Sequence, residues 1–303
     1  MHRRFIFLGL ISLFFASIAF STPVSADSSM LQISPSKSKI YELSANQTET
    51  GTFIVSNIGD NDFTFKIEVV PYSVTDDNYS GDFETENNYN KMASWITATA
   101  EKYTLKAGES TTVNYTIKVP KDIPSGGQYA AIAASITDSE DHVSSNISII
   151  SRAGYIVYAH LAGETRKEGR LIENSVPAFF ISDKVHATSI IENTGNIDID
   201  VVYDFEVSNV FTNDVVYSNQ KHNDTERRIL PETKRYIVFS WDNSPQLGIF
   251  KVRQTIDLFD TLHTTEKIVI VCPFWLIILF TLFIVSAIIW IASRINNRKK
   301  GAN

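Results

Sequence analysis

Ile54-Val55-Ser56-Asn57-Ile58-Gly59-Asp60-Asn61-Asp62-Phe63 and, 136 residues later, Ile190-Ile191-Glu192-Asn193-Thr194-Gly195-Asn196-Ile197-Asp198-Ile199 follow one local plan. In each copy an apolar run stops at Asn-x-Gly and an apolar residue restarts the chain four positions after the glycine. Glycine, and asparagine to a lesser degree, tolerates positive φ. The string therefore predicts a reversal between two strands, with Asn57, Gly59, Asn193 and Gly195 as turn formers rather than ligand contacts.

Outward from this corner the dominant pattern has period two. Phe63, Phe65, Ile67 and Val69 alternate with Thr64, Lys66 and Glu68, and Val113, Tyr115, Ile117 and Val119 alternate with Asn114, Thr116 and Lys118. Val201, Tyr203, Phe205 and Val207 repeat the pattern, as do Ile237, Phe239 and Trp241. Each series predicts a half-buried strand. A second landmark recurs at an offset of 121: Pro124-x-x-Gly127-x-Tyr129 and Pro245-x-x-Gly248-x-Phe250. Strand, corner, strand, later strand and Pro-x-x-Gly entry is the order of an immunoglobulin-like sandwich. The alternating Tyr155, Val157, Ala159 and Leu161 add one more strand to the first copy, and the charged residues 163–169 read as a linker.

The expected fold is all-β: two tandem immunoglobulin-like β-sandwiches, residues 27–164 and 165–267, followed by a single C-terminal transmembrane α-helix. The two offsets differ by 15, which places an insertion in the first copy, a hairpin at about residues 71–94. Long loops on a sandwich are where binding tends to be grafted.

Both ends carry membrane-targeting signals. Arg3 and Arg4 precede an apolar run at 5–20, and Val24-Ser25-Ala26 supplies small residues before Asp27, so a secretory signal cleaved between Ala26 and Asp27 is expected. Residues 268–293 hold no charge, and an apolar helix needs about 20 residues to cross the hydrocarbon. Trp275 and Trp290 lie near its ends, where indole rings favour the interface. Arg294 and the basic tail at 294–303 follow, as expected of a cytoplasmic flank. No Leu-Pro-x-Thr-Gly precedes the run, so the helix is expected to stay in the cell membrane with the β domains outside.

The segment between these ends carries 21 basic and 34 acidic residues, a net of −13, which disfavours nucleic acid and anionic lipid as partners. The single cysteine, Cys272, excludes an intrachain disulfide, so stability outside rests on core burial. The histidines are scattered, with no His-Glu-x-x-His helix and no Gly-x-Ser-x-Gly elbow, and no enzymatic activity, metal or cofactor is expected. Residues 76–84 space oxygen side chains as a calcium loop does, but Asn87 stands where the bidentate glutamate belongs, which favours an acidic hairpin tip. Tyr72, Tyr79, Asp82, Phe83 and Tyr89 are the candidate ligand or partner contacts. Tyrosines among Asp and Asn suit sugar rings, and they suit the packing of an extended hairpin equally. Trp95 is expected in the core.

The layout resembles the WxL-interacting proteins of Gram-positive bacterial surfaces. The resemblance rests on Ile33-Ser34-Pro35, Val55-Ser56-Asn57, the segment 72–84, Ser94-Trp95, Leu105-Lys106-Ala107-Gly108-Glu109-Ser110, Val119-Pro120 before Gly126-Gly127, and Ser151-Arg152-Ala153-Gly154. It implies that the first domain contacts peptidoglycan and the second a partner surface protein. The expected function is thus a non-enzymatic, membrane-anchored extracellular adaptor for cell-wall polymer, a surface protein, or both. The alternative is a structural subunit or chaperone-like assembly factor that accepts a strand at a sheet edge.

Overall fold

The computed structural model describes residues 30–75, 79–139, 152–181, 184–222 and 225–300. The expected signal segment and its cleavage point between Ala26 and Asp27 lie outside the described residues. Strands dominate, and the chain ends in one long helix.

In the first half, β1 (Leu31–Ser34), β3 (Thr48–Asn57), β9 (Ser110–Lys118) and β7 (Ile96–Ala98) pair in that order. A second sheet runs β2 (Lys37–Leu43), β11 (Arg152–Leu161), β10 (Gly126–Ser139), β4 (Phe63–Pro71) and β8 (Lys102–Leu105). The period-two residues do what their spacing demands: Phe63, Phe65, Val113, Tyr115 and Ile117 are buried between these sheets. Phe53 of β3 stacks on Tyr155 of β11 with centroids 4.6 Å apart, joining one sheet to the other. Each such side chain contributes roughly 1.5–3 kcal/mol by leaving water. Trp95 packs against this core but is only partly buried.

A second core lies between the sheet β12 (Gly169–Ser175), β14 (Val185–Asn193), β18 (Lys234–Trp241) and a larger one. The larger sheet runs β13 (Phe179–Phe180), β20 (Thr261–Val271), β19 (Gly248–Leu258), β15 (Ile199–Asn209), β16 (Val215–Ser218), with β17 (Glu226–Ile229) also on β15. Tyr203 of β15 and Phe239 of β18 meet across it at 4.4 Å.

The repeated corners are closed by the same hydrogen bonds. Asn57 Nδ2 donates to the carbonyls of Asn61 (2.8 Å) and Leu105 (3.4 Å), and its Oδ1 accepts from Gly59 N–H at 3.1 Å. Asn193 donates to Ile197 (2.8 Å) and Ile229 (2.9 Å) and accepts from Gly195 at 2.9 Å. The expected positive φ is not used, since the positive-φ glycines among the described residues are Gly108, Gly126 and Gly163. Gly195 is required for close approach instead: a Cβ there would overlap the Arg166 carbonyl and sit 2.8 Å from Glu168 N. The Pro-x-x-Gly-x-aromatic landmark has a packing cause as well. A Cβ on Gly127 would overlap the Tyr129 ring, and one on Gly248 the Phe250 ring, because residues two apart share a strand face.

Two expectations are corrected. Residues 163–169 are no free linker: Arg166 N–H donates to Asn196 Oδ1 (2.6 Å), the Glu164 carbonyl accepts from Asn196 Nδ2 (2.9 Å), and the Glu168 carbonyl accepts from Thr194 (3.0 Å) and Gly195 (3.1 Å). The membrane run also begins later than residue 268. Ile268, Val269, Ile270 and Val271 finish β20, with Val269 and Val271 in the second core and Ile268 and Ile270 facing outward, so period two continues inside an uncharged string. The second copy thus holds the same last strand as the first, β20 matching β11. Cys272 and Pro273 follow, and α1 (Phe274–Lys300) starts directly after the proline, whose fixed φ suits a helix start and whose missing N–H ends the ladder.

Candidate functional site

The inserted hairpin forms, with β5 (Ser73–Val74) paired to β6 (Gly81–Asp82), and its aromatic residues are half-buried against the rest of the chain. Tyr72 packs on Phe83 (5.7 Å) and edge-on to Tyr158 of β11 (6.1 Å). Asp82 Oδ1 accepts from the amides of Glu84 (2.9 Å) and Thr85 (3.1 Å), and bonds from Thr85 and these amides hold its carboxyl below the usual range. The calcium-like spacing falls partly on residues 76–78, outside the described residues.

Tyr79 and Tyr89 reach the other half. Leu230 N–H donates to the Tyr79 hydroxyl at 2.6 Å, and the Arg235 guanidinium lies over the Tyr79 ring at 4.4 Å. Burial pushes the Tyr79 phenol up to about 12. Tyr89 donates to Glu232 Oε1 at 2.8 Å, and its carbonyl accepts from Tyr129 N–H at 2.7 Å. Burial, followed by the Glu232 bond and charge, raises Tyr89 to about 12. The hairpin is therefore folded onto the turn between β17 and β18. Each phenol finds a partner on the second half, the Leu230 amide for Tyr79 and Glu232 for Tyr89.

The centre of this junction is Asp198, whose side chain is fully buried. Lys39 Nζ of β2 lies 3.2 Å and Arg228 Nε of β17 3.2 Å from Oδ2, while Oδ1 accepts from His160 Nε2 of β11 (2.6 Å) and the Tyr129 hydroxyl (3.1 Å). An ionised carboxylate only accepts, so Nε2 of His160 carries a proton. The Tyr129 hydroxyl also accepts from Asp198 N–H at 2.8 Å. Asp200, one strand step on, holds Arg228 by two bonds (2.7 and 3.1 Å) and Lys39 at 3.3 Å. Burial alone would raise the Asp198 carboxyl. The His160 bond and charge, with Lys39 and Arg228, outweigh burial and hold it at about 2.

Sequence reasoning missed this cluster although Asp198 stands inside the repeated string, opposite Asp62. In the first copy Asp62 merely accepts from Ala107 N–H (3.0 Å). The signal that could have found Asp198 was the second-copy string Asn196-Ile197-Asp198, whose middle residue is apolar where the first copy has Asn61. Ile197 is buried, as expected of a corner covered by another part of the chain.

An open groove of about 970 Å³ runs beside the hairpin. Trp95, Ala93, Pro71, Pro120, Ile123 and Pro124 give it apolar and aromatic walls. Asn87, Asn88, Lys91, Ser94, Lys121 and Asp122 are exposed polar residues on the same groove. Its walls are held by part-buried bonds: Asn90 Nδ2 donates to the Thr85 carbonyl (2.8 Å), and Gln128 Nε2 to the Asn88 carbonyl (2.7 Å). Among the described residues, no group of three or more His, Cys, Asp or Glu could hold a metal.

Residues 274–294 form a helix long and apolar enough to cross a membrane, and none of it is buried against the protein. Trp275 stands at its first turn, and the Arg294 guanidinium lies 4.6 Å from the Trp290 ring. The expected interface residues are thus at the two ends of the apolar stretch.

No protein-family model and no curated protein matches the chain. Among solved structures it is similar to the chaperone–tip adhesin complex of CFA/I fimbriae biogenesis (16% identity, TM-score 0.38, 78% of this chain and 98% of that chain). It is also similar to the class 5 fimbriae chaperone CfaA (15%, 0.38, 78% and 99%) and to the Salmonella enterica SafA pilin in complex with the SafB chaperone (9%, 0.38, 80% and 97%). At these scores the likeness carries no inference about what this chain binds.

Proposed function

We propose that this chain is a membrane-anchored extracellular binding protein without catalytic activity, and that the groove beside residues 86–95 takes a cell-wall polymer. The observation that carries the reading is the groove's make-up: a half-exposed indole and prolines in its walls, with amide, hydroxyl and ammonium groups alongside. Sugar rings present apolar faces edged by hydroxyls, and such surfaces stack on aromatic rings while their hydroxyls bond to polar side chains. A non-catalytic role agrees with the use made of His160 and Asp198, which are spent on joining the two halves, here read as two domains. The resemblance to WxL-interacting proteins points the same way.

Full-length chain in detergent, incubated with isolated Gram-positive cell walls, should co-sediment with them. Trp95→Ala should weaken retention at least tenfold, and Lys91→Ala and Lys121→Ala, at exposed positions on the same groove, should weaken it without altering the melting temperature by more than a few degrees. An absence of retention by the parent chain would sink the reading.

A second reading is favoured by β18. Among the described residues its paired neighbour is β14 alone, and Tyr236 and Val238 are exposed on it. A free edge with apolar side chains can accept a strand from a partner surface protein or subunit. Val238→Lys should abolish capture of such a partner while leaving retention on walls intact.

A further inference from the structure

Several exposed apolar side chains of the second half lie beside the start of α1. The register fixes which these are. Val271, the last residue of β20, pairs with Gly248 and Phe180, and Asn209 pairs with Phe250 one step inward. Cys272 N–H donates to the Phe180 carbonyl at 2.9 Å, and Val185 opposite Trp241 brings the start of β14 and the end of β18 to the same level. Three separate connections therefore meet where the helix leaves. Phe179, in β13, and Ile181, just after it, stand at the first, Phe211 at the second and Leu247 at the third, and they are 46%, 53%, 79% and 59% exposed.

Phe211 is not exposed through looseness. Asn209 Oδ1 accepts from the amides of Phe211 (2.8 Å) and Thr212 (3.2 Å), Asn209 N–H donates to the Asp214 carbonyl (2.9 Å), and Asn213 takes positive φ to close the turn. A rigid turn thus holds a phenyl ring at its tip. At the opposite end of the same half Leu230 is buried against Tyr129 and Tyr158 of the first half, while Phe259 and Leu262 of the β19–β20 turn stay exposed with no helix beside them. Only two residues, Cys272 and Pro273, separate β20 from α1, and Phe274 and Trp275 continue the apolar surface.

We propose that this end of the second half rests in the bilayer interface, with Phe179, Ile181, Phe211 and Leu247 inserted among the lipid headgroups and upper acyl chains. The inference rests on α1 spanning the membrane. Side chains on three connections at one level define a plane, and the two-residue link leaves no length over which that plane could stand clear of the surface. Apolar side chains on otherwise polar turns gain by partitioning into the headgroup–acyl boundary.

The test uses the full chain carrying Cys272→Ala, reconstituted in phosphatidylcholine vesicles, with a nitroxide placed singly by Phe211→Cys, Leu247→Cys, Ile58→Cys or Ile284→Cys. Ile58 is exposed at the far end of the first half and Ile284 is mid-helix. Accessibility to oxygen against a water-soluble nickel complex reports depth. The expected result is oxygen-favoured relaxation at 211 and 247, between the deep value at 284 and the aqueous value at 58. Labels at 211 and 247 that match 58 while 284 is deep would overturn the proposal and leave the spanning helix standing. A label at 284 that matches 58 would overturn the spanning helix and the proposal with it.

Discussion

Replacing Asp198 with asparagine removes one negative charge from a fully buried position that keeps Lys39, His160 and Arg228 around it. In the folded chain the carboxyl titrates at about 2. An aspartate in the unfolded chain titrates near ~3.9, and the gap of about two units corresponds to ~2.5 kcal/mol. The folded value is the lower one, so this contribution is complete above about pH 5 and is lost as pH falls through about 2, having roughly halved by pH 3. Asp198→Asn should therefore be ~2–3 kcal/mol less stable than the parent at pH 7, and the difference should shrink to about half at pH 3. Urea denaturation of the full chain in a non-ionic detergent, followed by tryptophan fluorescence at pH 7, 5 and 3, measures it. Trp95 packs on the first core and Trp241 on the second, so both halves report. Equal midpoints at pH 7, or a difference that does not change down to pH 3, would refute the role assigned to this charge.

Other expectations concern the corners and the hairpin. Asn193→Ala removes three hydrogen bonds from a fully buried amide and should cost roughly 3 kcal/mol, read as a lowered denaturation midpoint; Asn57→Ala should behave similarly. Gly195→Ala forces a Cβ into the Arg166 carbonyl and should destabilise by more than about 2 kcal/mol. Gly108→Ala, with φ +74° and open space around it, should cost only about 1 kcal/mol, and thermal melts of the pair separate packing from backbone strain. Tyr79→Phe leaves the Leu230 amide without its acceptor and should cost about 1–2 kcal/mol. Tyr79 is held up to about 12, so its contribution is full below pH ~10 and is lost as pH rises through about 12. Ultraviolet titration should show one late-ionising phenol fewer in the variant.

Much of the architecture was legible because period two and the Asn-x-Gly string are local. Val201 to Val207 are buried at every second residue, and both asparagines clasp their corners with matching bonds. The role of the glycine was not legible, since its need comes from residues 166–168 crossing close by, a contact distant from the string itself. The start of α1 was misplaced for the opposite reason. Absence of charge was read as membrane, whereas the alternation Ile268, Val269, Ile270, Val271 and the proline at 273 show where the strand stops. The hairpin tyrosines were recognised as a group, but a phenol's choice between ligand and neighbouring chain depends on what the fold brings within 3 Å. Asp198 was overlooked because one carboxylate in a turn has no distinguishing spacing, and its partners come from β2, β11 and β17.

The short passage from β20 to α1 also governs how the chain would carry load. A pull on the first half, resisted by a helix held in lipid, enters the second half at Val271 and runs along the axis of β20. That strand pairs with β19 over eleven residues, from Thr261 opposite Leu258 to Val271 opposite Gly248. Antiparallel ladder bonds lie perpendicular to the strands, so the force shears them together instead of opening them one at a time. The second half is thereby built as a grip: tension tests the whole β19–β20 ladder at once.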